Sequence, residues 1–297
     1  MQIKTKACGI GKEKQDITDF LEPTFPLEYL QLLEKYSEPT IKSYIYQFNR
    51  FLKYYKGIKP KDISEDQLRE YIIFMVKERK LSRSTQNNAI NAIKIYYHKI
   101  SKKEIDDYYL PRPHKQRKLP KIINEQEVAK ILKNVEDIRD KCMIFLIYSA
   151  GLTPSEIVYL KPGHIDSKRM KIFISSAKGD KDRFVFLSPK VLNLLREYYK
   201  RYHPVEWLFE NSRGVQYSRR KLQKEFQTAV KKSGISKPAT LTILKNSFAV
   251  HLIEKGIDVR YIQKILGHKH SKTTMKYLRV SKRDLSLIQS PLDNLDV

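Results

Sequence analysis

At 297 residues the chain has room for one large domain or two ordinary ones, each with its own core. Its 58 Lys+Arg against 33 Asp+Glu give a formal charge of +25, which implies a polyanionic partner; the plainer alternative is a generally solvated basic protein such as a ribosome-associated factor. The longest purely apolar run, Met143 to Tyr148, is far short of the roughly 20 residues of a membrane span, the polar N-terminus reads as no signal peptide, and two cysteines (Cys8, Cys142) make neither a disulfide framework nor a zinc cluster.

Residues 1–25 show no helical periodicity and read as a tail or arm. From Pro26 the pattern is helical. Ser37 is a candidate N-cap with Pro39 in the first turn, followed by Ile41, Tyr44, Ile45, Phe48, Phe51, Leu52 and Tyr55 at steps of three and four, and Gly57 ends the helix. Ser64 with Gln67 forms a capping box opening a third helix through Leu68, Tyr71, Ile72, Met75 and Val76. A fourth, starting near Ser84, carries Ala89, Ile90, Ile93, Tyr97 and Ile100. Residues 26–110 are therefore expected to form a four-helix bundle.

The segment 111–121 holds Pro111, Pro113 and Pro120 among the basic residues Arg112, Lys115, Arg117, Lys118 and Lys121, without an acid. Prolines stop helices and like charges do not pack together, so this is predicted to be a linker whose charge crosses a DNA backbone. The second domain, 122–297, opens with the capping pair Asn124 and Glu127. It continues into a buried helix over about 138–150, strand-like segments at 170–175 and 184–187, and helices over about 189–202, 218–233, 242–255, 258–266 and 272–280. The Lys178–Arg183 turn joins the two strands as a long hairpin. The whole is mostly α with two domains, the second α+β with a small antiparallel sheet.

Four segments, in this order, resemble the tyrosine recombinase (phage integrase, Xer-like) family. Gly151-Leu152-Thr153-Pro154-Ser155-Glu156-Ile157 resembles its Gly-Leu-Arg-x-Ser-Glu-Leu segment, and the Lys178 hairpin its Lys-Gly-x-Lys-x-Arg turn. Leu244 to Leu252 resembles the His-x-Leu-Arg-His-Ser-Phe-Ala-Thr-His-Leu helix. Leu266-Gly267-His268 through Thr273-Thr274-Met275-Lys276-Tyr277 resembles the Leu-Gly-His and Thr-Thr-x-x-Tyr ending. Ser37 to Tyr44 and Ser290 to Asp293 extend the likeness to nearly everything from residue 26 onward.

The resemblance implies a SAM-like core-binding bundle, a catalytic-type second domain, duplex DNA as partner and self-association on DNA as dimer or tetramer. It also implies a cytoplasmic, nucleoid-associated protein with neither metal nor cofactor. The family's chemistry is attack of a tyrosine oxygen on a phosphodiester, giving a 3′-phosphotyrosyl bond and a 5′-hydroxyl. Two arginines clamp the non-bridging oxygens, a hairpin lysine protonates the leaving oxygen, and histidines move the nucleophile's proton. Carried over by position, Tyr277 matches the nucleophile, Lys178 the acid and His268 the late histidine, while Arg112, Lys115, Arg117, Lys118, Lys181 and Arg183 are expected to contact the DNA backbone.

Three of six catalytic positions depart: Thr153 for the first arginine, Thr242 for the helix histidine and Lys245 for the second arginine; Asn246 also replaces a neighbouring histidine. Thr153-Pro154-Ser155-Glu156 is a good helix start, so a clamp has been exchanged for a cap. His270, two residues beyond His268, lacks the partners a metal site needs. Two readings stay open: a recombinase using Tyr277, Lys178, Lys245 and His268, with or without a partner recombinase subunit, and a non-cleaving architectural subunit or regulator. A topoisomerase-like relaxing enzyme would need the same missing clamps. The apolar residues Leu285, Ile288, Leu292 and Leu295 are expected to pack on a neighbouring protomer.

Overall fold

A computed structural model describes residues 21–101, 119–175 and 182–281. The basic residues Arg112, Lys115, Arg117 and Lys118, the hairpin lysines Lys178 and Lys181, and the stripe beyond residue 281 lie outside the described residues. The chain divides into two compact units between Gln116 and Arg117.

The first unit contains α1 (Leu27–Leu33), α2 (Glu38–Tyr54), α3 (Glu65–Lys77) and α4 (Arg83–Lys99). Ser37 is the N-cap residue of α2, and Ser64 and Gln67 complete the expected capping box of α3, with Gln67 N–H donating to Ser64 Oγ at 3.2 Å and Ser64 N–H to Gln67 Oε1 at 2.9 Å. The fourth helix begins one residue before Ser84, because Ser82 Oγ accepts the Thr85 N–H at 3.2 Å and takes the cap. The core is strongly aromatic: Tyr29, Phe48, Phe51 and Tyr97 are fully buried, and Tyr29 and Tyr97 spend their hydroxyls on the backbone carbonyls of Ala92 and Pro60. A buried tyrosine needs such an acceptor, since an unmade bond costs more than the made one gains. Residues 21–25, read from sequence as tail, belong with this core. Phe25 packs edge-on against Phe48, and Glu22 N–H donates to Asn49 Oδ1 at 2.7 Å.

The second unit is built on α6 (Ile138–Ala150), which follows α5 (Glu125–Lys133). Nearly every side of α6 is buried, with Cys142, Met143, Ile144, Leu146 and Ile147 fully enclosed. It packs on α8 (Pro189–Tyr202), α9 (Arg219–Lys232) and α10 (Leu241–Glu254). After the short α7 (Pro154–Val158) comes an antiparallel sheet of β1 (Ile165–Asp166), β2 (Lys171–Ile174) and β3 (Arg183–Phe186) in that order, with Ile172 opposite Val185. Two-residue β1 has too little periodicity to be legible in the sequence. Ile172, Ile174 and Val185 face the core, whereas Phe184 and Phe186 on the other side of the pleat are exposed. The last helices are α11 (Val259–Leu266) and α12 (Ser271–Leu278). Among the described residues no helix is long and apolar enough to cross a membrane.

Gly151 closes α6 in the left-handed region at φ +67°, two residues before Thr153. A Cβ there would stand 2.6 Å from a ring carbon of Phe248 and 2.8 Å from Leu266 Cδ2. Both the backbone angle and the packing therefore require glycine. Gly151→Ala is expected to destabilise the second unit by about 2–5 kcal/mol, from the left-handed penalty plus overpacking. In calorimetry the transition of the second unit should fall while that of the aromatic bundle stays in place; an unmoved second transition would show that Phe248 and Leu266 yield freely.

Candidate active site

Five pieces of the second unit converge. The first is the start of α7. Thr153 Oγ1 accepts the Glu156 N–H at 3.2 Å, while Glu156 Oε2 receives the Thr153 N–H at 2.7 Å and the Thr153 hydroxyl at 2.8 Å. This is a complete capping box, as the sequence indicates, and it stands where the family resemblance leads one to expect the first arginine. The other oxygen, Glu156 Oε1, pairs with Arg183 Nη1 at 2.7 Å.

Arg183 is the second piece. The alternation of β3 turns it to the same side as buried Val185, and its side chain is 15% exposed. Its Nε donates to the carbonyl of Ile265 at 2.8 Å, near the end of α11. Expected from sequence as a backbone contact for DNA, Arg183 is instead engaged inward, in an ion pair whose carboxylate is itself 20% exposed.

The third piece is α10, which presents Thr242, Lys245 and Asn246 at positions i, i+3 and i+4, one face of a helix. Thr242 is exposed in the first turn, and half-buried Lys245 lies among Glu156, Arg183 and Lys276. Burial pushes the Lys245 amine down to about 8; Glu156 opposes the shift, and Arg183 and Lys276 add to it.

The turn after α11 supplies the fourth. Gly267 ends that helix at φ +68°, and the next residue, His268, is pinned by Gln263: the His268 N–H donates to Gln263 O at 3.1 Å and Gln263 Nε2 to His268 O at 3.0 Å. Its Nδ1 lies 2.8 Å from Thr274 Oγ1. Burial, then the charges of Lys245, Lys276 and Arg183, push the imidazole down to about 4, so the ring is neutral at physiological pH.

Helix α12 completes the set. Tyr277 is 2% exposed, and its hydroxyl donates to Asn246 Oδ1 at 3.0 Å. Its ring runs nearly parallel to that of His268, at 18° with centroids 6.2 Å apart, and Lys276 Nζ lies 4.9 Å from its centroid. Burial raises the phenol to about 12. The structure thus brings Tyr277, His268, Lys245 and Thr153 into one neighbourhood. It also brings in Asn246, Glu156 and Arg183, whose roles there the sequence reading did not assign. A lone acid among so many cations was the available signal for Glu156; nothing in the sequence says that Asn246 meets Tyr277. Among the described residues, no group of three or more His, Cys, Asp or Glu is placed to hold a metal ion.

Residues 121–284 match the family model of the phage integrase family, and residues 27–107 match the phage integrase N-terminal SAM-like domain. An integrase/recombinase relative from Sinorhizobium fredii is 36% identical over 89% of this chain and 86% of its own length. Tyrosine recombinase XerA of Pyrococcus horikoshii is 33% identical over 92% of this chain and 94% of the relative. Among solved structures, XerH site-specific recombinase in a post-cleavage complex with its palindromic difH substrate superposes with a TM-score of 0.69 and 25% identity, over 83% of this chain and 78% of that one. A lambda integrase dimer bound to a COC′ core site shares the fold, with a TM-score of 0.70 and 17% identity over 93% and 98% of the two chains. With both family domains matched in order and relatives aligned along nearly its whole length, the chain belongs to the phage integrase family of tyrosine recombinases.

Proposed function

We propose that this chain binds duplex DNA and acts in site-specific recombination or integration, with Tyr277 as the nucleophile of a weakened cleavage site. The observation that carries this reading is the meeting of Tyr277 with His268 beside Lys245, three residues from separate helices and turns. In this reading the Tyr277 oxygen leaves Asn246 and attacks the phosphorus, and its proton passes to neutral His268. Protonated Lys245 holds the non-bridging oxygens, and Lys178 gives a proton to the departing 5′ oxygen. Phosphate charge drawn onto Lys245 and His268 also favours their protonated forms, so bound DNA completes the electrostatics of the site. Two or four copies on DNA, as in the lambda integrase dimer on its core site, fit the same reading.

A specific feature favours a second reading, a DNA-binding subunit that does not cut. Thr153 serves α7 fully as a cap, and losing one preorganised donor to a developing oxyanion costs about 100- to 1000-fold in rate. Incubation with a nicked suicide duplex, followed by a denaturing gel, separates the two. A slow covalent adduct absent from Tyr277→Phe supports the cleaving site; no adduct despite tight binding supports the subunit. Restoring Thr153→Arg, Thr242→His and Lys245→Arg together should raise adduct formation by at least about 100-fold. The Thr153 change should lower stability by about 1 kcal/mol through the lost cap.

The charge on Lys245 supplies a pH test. Its depressed amine is protonated below about pH 8 and loses its charge above it. The kcat/KM for adduct formation, which reports free protein, should therefore decline as pH rises past about 8. Lys245→Arg should abolish that decline, and a profile identical to that of the unsubstituted protein would remove Lys245 from the phosphate.

Binding itself should depend steeply on salt. With a charge of +25, the observed association constant is expected to fall linearly on a log–log scale with a slope of several units, as condensed counterions are released. Titrations between 50 and 200 mM salt, roughly the range over which such contacts are felt, check this. A flat response would contradict backbone binding.

A further inference from the structure

Arg183 makes more contacts inside the site than a surface cation has reason to. Nη1 holds Glu156 Oε1 at 2.7 Å and Nε holds Ile265 O at 2.8 Å, so one rigid fork joins the first turn of α7 to the last turn of α11. Gly267, just past the end of α11, lies directly beneath it: a Cβ there would stand 2.9 Å from Nη1 and 3.0 Å from Cζ. Its remaining nitrogen, Nη2, is buried with no acceptor among the described residues. A buried donor left unpaired is a cost that stability alone does not favour.

We propose that Arg183 is a positioning residue for strand cleavage: its guanidinium ties the capped start of α7 to the Gly267–His268 turn and thereby sets where the His268 ring stands beside Tyr277. This rests on the reading that Tyr277 attacks DNA. A lysine cannot replace it in full, because a single ammonium lacks the planar fork that reaches a carboxylate and a carbonyl in fixed directions. Glycine at 267 belongs to the same device, since any side chain there displaces the guanidinium. Among the described residues, the charged and titratable groups facing His268 are Glu156 from α7, Arg183 from β3, Lys245 from α10, and Lys276 and Tyr277 from α12. Arg183 is the one among them that also touches the backbone leading into the histidine.

The test compares Arg183→Gln, Arg183→Lys and Gly267→Ala in the full-length chain. If Arg183 positions His268, Arg183→Gln lowers the kcat of adduct formation at least tenfold while duplex Kd stays within about twofold. Arg183→Lys recovers part of the rate. Gly267→Ala repeats the kcat defect with the arginine charge still present, and the double variant is no slower than the worse single one. A defect in Kd with kcat intact would overturn the proposal and restore Arg183 as a backbone contact. Nuclear magnetic resonance of the His268 ring, assigned with His268→Gln, needs no cleavage. Its titration should move up in Arg183→Gln, and its ring-current shift from Tyr277 should change in both Arg183→Gln and Gly267→Ala. Unchanged His268 signals overturn the proposal even if the rate falls. If the unsubstituted protein forms no adduct, the cleavage reading fails while the resonance arm still decides the placement of His268. If Arg183→Gln does not fold, Gly267→Ala and Arg183→Lys carry both arms.

Discussion

The carboxylate of Glu156 serves two masters at once. One oxygen closes the capping box of Thr153, so α7 starts where it does; the other holds Arg183, which in turn reaches the end of α11. An exposed ion pair would contribute little, but this one is mostly withdrawn from water and reinforced by three further hydrogen bonds on its two members. Removing either partner would leave the other charged, buried and poorly matched. The turn that carries His268 begins at Gly267, two residues after the carbonyl that Arg183 holds, and Tyr277 lies against that histidine. Glu156 is therefore the point from which the arrangement of the whole pocket can be traced.

Around this carboxylate the site is strongly cationic. Burial first, and then the charges of Lys245, Lys276 and Arg183, depress the His268 imidazole and leave it neutral, so the ring is free to take or share a proton. Positive charge is concentrated before any substrate arrives, as a pocket for a phosphodiester requires, and its self-repulsion is held down by one acid and by the low charge of the histidine. The proposed nucleophile is kept out of this chemistry at rest. Tyr277 is buried, its phenol raised to about 12, and its hydroxyl spent on Asn246, which can accept a hydrogen bond and cannot take the proton.

If Thr153 stands in for a clamping arginine, as the family resemblance implies, a structural gain and a catalytic loss would be the same substitution. Threonine followed by Pro154 and Glu156 makes a better helix start than arginine would. A cation is present in the neighbourhood in any case, because Glu156 draws Arg183 in from the neighbouring strand. What differs is geometry. Arg183 spends two of its donors on the protein, while an arginine at 153 would have offered its fork to a ligand.

Much of this was legible in the sequence because it is local. Capping boxes at Ser64 and Asn124, the stripe of α2 and the apolar run of α6 depend on neighbours within four residues, and the structure has them in place. The positions of Tyr277, His268 and Lys245 were legible for a different reason, the spacing of family segments. Three things were not. The short strand β1 pairs through its backbone, Ile165 with Ile172 and Asp166 with Lys171, and needs no side-chain pattern. The inward turn of Arg183 depends on which face of β3 meets α11, and the bond between Tyr277 and Asn246 joins residues 31 apart on separate helices. Sequence periodicity determined which face of each element is apolar, and hence the elements and their caps; which polar group meets which across the pocket was decided only when the helices packed, because buried donors and acceptors select partners by distance and direction in space.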